Sequence, residues 1–375
     1  MIAKTRIFND IERLRGFACV LVFIQHAAWI CQLRFIYEIV PSFLLFGSGA
    51  VHIFFAISGF IITLSLKAKF SSLPDGLFLD RLLAARKILL SFYKRRFFRI
   101  FPVMILVVIL LGIFYCATEN DLSWTSSLLR APFEILFGSY SNSVELFVSQ
   151  EKIHVGGIGP FWTLAIEAQF YILWPVVLLM CKNNNARALV SLCLGCFFLF
   201  IVNPLSVAFW GKKYYLIHNN VSELLLGSFF AFLYREEYSF AFSKKIAMLT
   251  SSILALLIWF YPSTVNASYF TGTIISLASV FIVVLAAFAE GSFAIPLLGK
   301  IFDFLGSRSF SFYALQLLLM NIVVWYTNSI YFPKESFSEY EFLFYQFIML
   351  LALLLAIVEL AYRFVEKPAR QFGYR

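Results

Sequence analysis

Chemistry in this chain has to be sought at the few ionisable side chains that sit among apolar residues. Arg15 and His26 lie eleven residues apart in the first apolar run. Eleven residues is about three helical turns, so the two side chains share a face, with His26 roughly 16 Å beyond Arg15. A neutral imidazole in the middle of a ~30 Å apolar layer can take a proton from a hydroxyl at physiological pH. The plainer roles are a packing histidine and a charge that anchors the helix end. Glu167 lies in Trp162-Thr163-Leu164-Ala165-Ile166-Glu167-Ala168-Gln169-Phe170-Tyr171. If this helix starts near Pro160, Glu167 is about 9 Å and His26 about 14 Å from the same boundary. At matched depth a carboxylate can orient the imidazole and stabilise its protonated form. A simple helix-to-helix hydrogen bond is the alternative.

A third group is basic: Lys94-Arg95-Arg96-Phe97-Phe98-Arg99, just before Pro102. Arg96 and Arg99 are three apart and share a helix face. Guanidinium forks pair well with phosphate oxygens, so the stretch suits a phosphorylated ligand such as coenzyme A. It equally suits a topological stop that binds anionic lipid. Ser58-Gly59 falls near the middle of the second apolar run, where small residues let helices approach closely. No base stands beside Ser58 in sequence, which argues against a serine nucleophile. His52, His154 and His218 are weaker candidates.

The elements that carry these residues must be membrane helices. Of the 375 residues, 61% are apolar and only 14% charged, which no ordinary soluble domain matches. A span needs about 20 mostly apolar residues. Ten segments qualify: 13–33, 43–66, 98–117, 161–181, 187–208, 219–235, 245–262, 268–289, 309–330 and 342–364. The sixth is weakest, because Ser222 and Glu223 stand near its start. Lipid cannot satisfy free backbone groups, and the runs are long and continuous, so helices rather than a barrel are expected. With the N-terminus inside, twenty-four of the thirty Lys and Arg fall in inside segments and six outside. That asymmetry puts both termini in the cytoplasm. The expected fold is an all-α polytopic membrane protein in a bacterial inner membrane, with residues 1–375 forming a single domain.

The net charge of +9 therefore reports membrane orientation, and no nucleic-acid partner is expected. Cys19, Cys31, Cys116, Cys181, Cys193 and Cys196 all lie in or beside apolar segments. Neither a disulfide framework nor a metal site is read from them, and the Cys193-Leu-Gly-Cys196 spacing reads as helix packing. Arg15 and His26 within the first run argue against a cleaved signal peptide.

These residues together resemble the acyltransferase-3 family of bacterial membrane O-acyltransferases. Arg15 followed by His26 looks like its Arg-x10-His signature. Val51-His52-Ile53-Phe54-Phe55-Ala56-Ile57-Ser58-Gly59-Phe60 resembles its second-span motif, which often has Asp where His52 stands. Arg96 and Arg99 match its Arg-x-x-Arg motif. The stretch from Trp162 through Glu167 and Gln169 to Tyr171 looks like its Trp-Ser-Leu-x-x-Glu-x-Gln-Phe-Tyr motif. Phe364-Val365-Glu366-Lys367-Pro368 resembles its closing Glu-x-Pro segment. One departure stands out: Leu305 to Gln316 matches a late motif that usually ends in His, and Gln316 stands there instead.

The resemblance implies an enzyme with no bound cofactor. Acyl-coenzyme A, in the first instance acetyl-coenzyme A, would be the donor, and a hydroxyl of an envelope or lipid-linked carbohydrate the acceptor. Arg15, Arg96 and Arg99 would bind the donor. His26 and Glu167 would carry the chemistry, supported by Ser58, Trp162, Gln169, Tyr171 and Gln316. Some members carry a fused extracytoplasmic domain; none is expected here. Two other classes remain open at this point. Buried Arg, His and Glu also suit a proton-coupled transporter or flippase of a glycan or lipid precursor, although no internal repeat of the kind common in transporters occurs. Gln316 leaves room for an inactive scaffold of the same fold.

Overall fold

The protein was analysed as a computed structural model that describes residues 9–30, 47, 49–118, 161–205, 221–235, 243–264, 269–289, 291–294, 298–327 and 339–375. Among these residues there are helices and no strands. The elements are α1 (Asn9–Ile30), α2 (Ala50–Ser71), α3 (Phe78–Thr118), α4 (Phe161–Met180), α5 (Asn184–Phe197), α6 (Val221–Leu233), α7 (Lys244–Thr264), α8 (Tyr269–Phe288), α9 (Gly299–Ser307), α10 (Ser309–Tyr326), α11 (Glu339–Ala361) and α12 (Lys367–Tyr374). Single π-helical turns, Phe198–Val202 and Tyr362–Glu366, follow α5 and α11.

Each of the ten predicted segments is mostly helical over its described part, with non-helical residues only at the ends. Six helical stretches are by themselves long and apolar enough to cross a membrane: Ala50–Ser71, Phe78–Thr118, Thr163–Met180, Asn184–Leu205, Ser309–Tyr326 and Glu341–Tyr374. Val221–Leu233 and Gly272–Phe288 are shorter apolar helices. Helix α1 is not one of the six, and its first turns carry Asp10, Glu12, Arg13 and Arg15.

Two departures from the sequence reading matter for the site. The basic stretch before residue 98, expected to lead into a span beginning at 98, is itself part of the helix. From Phe78 it is helical and continuous with the apolar segment, giving a 41-residue α3 with Pro102 inside it. Arg187, read as a charge on a connection, is buried. Its Nε donates to Leu178 O at 3.0 Å and its Nη2 to Phe70 O at 3.2 Å. One guanidinium thus satisfies carbonyls near the C-terminal ends of α4 and α2, which have no partner within their own helices. Lys67 does the same for α6, donating to the carbonyls of Ala231, Phe232 and Tyr234.

The backbones of α2 and α6 approach each other very closely. A Cβ on Gly59 would lie 1.9 Å from Leu224 O, and one on Gly227 would lie 2.3 Å from Ala56 O. Only glycine on both sides permits that backbone approach. Across it, Ser228 Oγ donates to Gly59 O at 3.1 Å and Thr63 Oγ1 donates to Ser228 Oγ at 2.8 Å. This contact fixes the rotation of α2 and hence the direction of Ser58.

Candidate active site

Five helices converge on one pocket of about 610 Å³, counting its open mouth. Helix α1 supplies Arg15, α2 supplies Ser58, α3 supplies Arg99, α4 supplies Glu167, and α10 supplies Tyr313. Each comes from a different stretch singled out in the sequence. Along α2 the lining positions Val51, Phe54, Phe55 and Ser58 follow the three-and-four spacing of one helix face. The walls are therefore mostly aromatic and apolar, and the charged groups enter singly from separate helices, the usual composition of a small-molecule site.

Glu167 is the hub. Ser58 Oγ donates to Glu167 Oε1 at 2.5 Å. Tyr171, one turn further along α4, donates its hydroxyl to the same oxygen. Hydroxyl donors to a carboxylate make strong, short bonds. Ser58 thus combines two roles: it is small enough to sit beside the α2–α6 contact, and it fixes Glu167.

The arginines are positioned differently from one another. Arg15 Nη1 is paired with Glu12 Oε1 at 2.7 Å, and its side chain is only 11% exposed. Arg99 faces the pocket. Arg96 stands beside it, its guanidinium over the rings of Phe92 and Tyr171 at 5.3 and 5.2 Å. Such stacking holds the fork in place while leaving its N–H donors free to bind an anion. The C-terminal helix braces this stretch of α3: Phe98 packs on Phe372 at 4.9 Å, and Lys94 lies over the same ring. That helix is in turn tied to α10 through Glu366, which is buried and accepts from Ser311 Oγ at 2.5 Å. The closing Glu-x-Pro segment therefore acts as a strut that holds α3 against α10.

His26 is not among the pocket-lining residues. It lies further along α1, half-buried, and its Nδ1 has no hydrogen-bond partner among the described residues. The sequence reading set Glu167 and His26 at similar depth and left a helix-to-helix hydrogen bond as the alternative; the polar partners of Glu167 are Ser58, on a neighbouring helix, and Tyr171. Gln316 on α10 is fully buried, and neither atom of its amide has a partner among the described residues. Gln169 is half-buried and outside the pocket lining. Trp162 is the second residue of α4, and its side chain lies outside the described residues.

Sequence reasoning missed Thr163, Ser309 and Tyr313. All three line the pocket, and Thr163 Oγ1 donates to the Tyr313 hydroxyl at 3.1 Å. It also missed a buried polar cluster between α2, α6 and α8. His52 Nδ1 lies 2.5 Å from Glu223 Oε1. Ser276 donates to the same carboxylate, and Ser222 Oγ donates to Oε2 at 2.9 Å. Glu223 is completely buried. The signal was present, since a carboxylate within an apolar run demands buried partners. No group of three His, Cys, Asp or Glu side chains is gathered as a metal site would require among the described residues. The described cysteines, Cys19, Cys116, Cys181, Cys193 and Cys196, are all free.

Known proteins resemble the chain along nearly its whole length. The family model for the acyltransferase domain numbered 3 matches residues 8–361. O-acetyltransferase OatA of Staphylococcus aureus (strain NCTC 8325 / PS 47) is 25% identical over 399 aligned positions, covering 99% of this chain and 58% of the relative. A second protein, of S. aureus strain COL and provisionally named an O-acetyltransferase, is 24% identical over 370 positions, covering 91% of this chain and 55% of its own length. The chain thus spans a little over half the length of these curated relatives. No solved structure matches it.

Proposed function

Because the chain belongs to the acyltransferase-3 family, we propose that it is a membrane O-acyltransferase. In this reading it moves an acyl group, in the first instance acetyl, from acyl-coenzyme A to a hydroxyl of an envelope or lipid-linked carbohydrate. The observation that carries the reading is the meeting of Arg15, Ser58, Arg99 and Glu167 in one pocket. Four separated sequence motifs gain a common purpose there. The relatives named as O-acetyltransferases support acetyl as the group moved.

The protein crosses the bacterial inner membrane ten times, with both termini in the cytoplasm. The donor enters from that side. Its phosphates pair with Arg96 and Arg99, whose planar forks suit them. The mouth of the pocket takes the pantetheine arm, which runs along α1 from Arg15 toward His26. Glu167, fixed by Ser58 and Tyr171, holds the arginine side chains in place by charge. The acceptor hydroxyl approaches His26. The imidazole takes its proton as the oxygen attacks the thioester carbonyl. The carbon–sulfur bond then breaks, and the leaving thiolate takes the proton from the imidazolium.

Purified protein in liposomes that carry membrane glycan, given labelled acetyl-coenzyme A, tests this directly. Label in the glycan with equimolar release of coenzyme A thiol is expected. Absence of both from well-folded wild-type protein overturns the assignment.

A further inference from the structure

Half-buried His26 on α1 and fully buried Gln316 on α10 both carry polar atoms with no hydrogen-bond partner among the described residues. Cys19 Sγ donates to Ser309 O at 3.7 Å, and Phe23 packs on Phe312 with ring centroids 5.9 Å apart. Position numbers rise together in the two pairs, so α1 and α10 run parallel at this contact. Seven residues on from the first pair, one arrives at His26 on α1 and Gln316 on α10. Seven residues is two turns and returns to the same helix face. The register therefore sets His26 and Gln316 level and turned toward one another. Gln316 is 0% exposed, and among the described residues neither its Oε1 nor its Nε2 has a partner; His26 Nδ1 has none there either. Buried amides in native proteins are nearly always satisfied, so one without a protein partner is a natural place for a ligand or a water to bind.

We propose that Gln316 is a binding residue for the carbohydrate acceptor, engaging a hydroxyl adjacent to the one that reacts. This rests on the acyl-transfer reading above and deepens it. The chemistry selects the ligand. An amide offers an acceptor oxygen and two N–H donors. A thioester carbonyl only accepts, so it would leave Gln316 Oε1 unpaired. A hydroxyl both donates and accepts, and neighbouring hydroxyls on a sugar ring answer the imidazole and the amide at once. One hydroxyl gives its proton to His26 while the next exchanges hydrogen bonds with Gln316. Selectivity built on such a hydrogen bond is strong, because an acceptor without that hydroxyl leaves the amide buried and unpaired.

The test uses full-length wild-type protein and two apolar variants of similar size, Gln316→Met and Gln316→Leu. Thermal unfolding without substrate is measured first. If Gln316 waits for a ligand, both variants unfold at or above the wild-type temperature. A lower unfolding temperature in both makes the amide a structural group and overturns the proposal. Transfer from labelled acetyl-coenzyme A is then measured in membranes whose own glycan is the acceptor. The variants should label glycan about tenfold less or worse, the worth of one lost hydrogen bond, with an unchanged KM for acetyl-coenzyme A. Glycan labelling near wild type, or a raised donor KM, also overturns it. Wild-type protein that labels no glycan refutes the acyl-transfer reading instead, and the proposal falls with it.

Discussion

Ser58 and Glu167, 109 positions apart, meet at 2.5 Å between α2 and α4. The contact makes the pocket a single electrostatic unit, because the same carboxylate oxygen also receives Tyr171. A hydrogen bond to a charged group contributes about 1.5–3 kcal/mol. Ser58→Ala should therefore lower transfer by roughly ten- to hundredfold, and Glu167→Gln by at least as much. The double variant should be little worse than Glu167→Gln alone, since residues that act as a unit are not additive. Fully additive losses in membranes with matched protein levels would show that the two act separately.

Arg96 and Arg99 should govern the donor. Arg99→Ala should raise KM for acetyl-coenzyme A by about one to two powers of ten, the loss of a charge-assisted contact. Arg96→Ala should do the same and also loosen Tyr171, over whose ring it lies. Lysine should rescue either poorly, because an ammonium cannot form the planar fork. Donor KM values unchanged in both alanine variants would return the pair to a topological role.

His26 should carry the proton. A general base supplies about 10²–10⁴-fold in rate, so His26→Ala should lose nearly all turnover while donor KM holds. His26→Gln keeps a polar tip that cannot take the proton, and it should be almost as inactive. Turnover by His26→Gln within a few-fold of wild type would leave His26 as a packing residue.

The His52–Glu223 pair should matter for stability. Glu223 is buried with three side-chain donors or partners around it. Removing His52 takes one partner from the buried Glu223 carboxylate, a loss of about 1–3 kcal/mol. His52→Leu should thus lower the unfolding temperature, while membranes assayed well below that temperature keep the wild-type donor KM. A variant as stable as wild type would contradict the buried-pair assignment.

Orientation has its own measurement. Reporter fusions after Lys94 and after Lys245 should read cytoplasmic, and one near Asn142 should read external. A cytoplasmic signal at Asn142 would reverse the direction of donor entry.

The pocket was legible in the sequence because lipid makes polar residues conspicuous. Arg15, Ser58, Arg99 and Glu167 each interrupt an apolar run, and the fold assembles them. Their partners were less legible. Depth along ideal straight helices matched Glu167 to His26, but helices tilt and shift against one another, and the hydrogen bonds of Glu167 go to Ser58 and Tyr171 instead. Tyr313 escaped notice because an aromatic in an aromatic-rich chain carries no contrast. Glu223 was read as weakening a span, when its burial with His52 is what allows that span to hold a carboxylate. Arg187 was counted only as one of the inside charges, since sequence cannot show that helix ends nearby leave carbonyls for it to bind.

Helix α3 gives the pocket a long arm. At 1.5 Å per residue its 41 residues extend roughly 60 Å, about twice the apolar thickness of a bilayer. The segment from Phe78 to Arg99 comes before Pro102, so no proline softens it. Leu79, Leu83 and Leu90 along it are exposed. The opposite face of the same arm buries Arg81, Ala85, Leu89 and Phe92, so the arm is anchored along its length. The exposed leucines at its start and the guanidinium of Arg99 thus stand on one unbroken rod, roughly 30 Å apart.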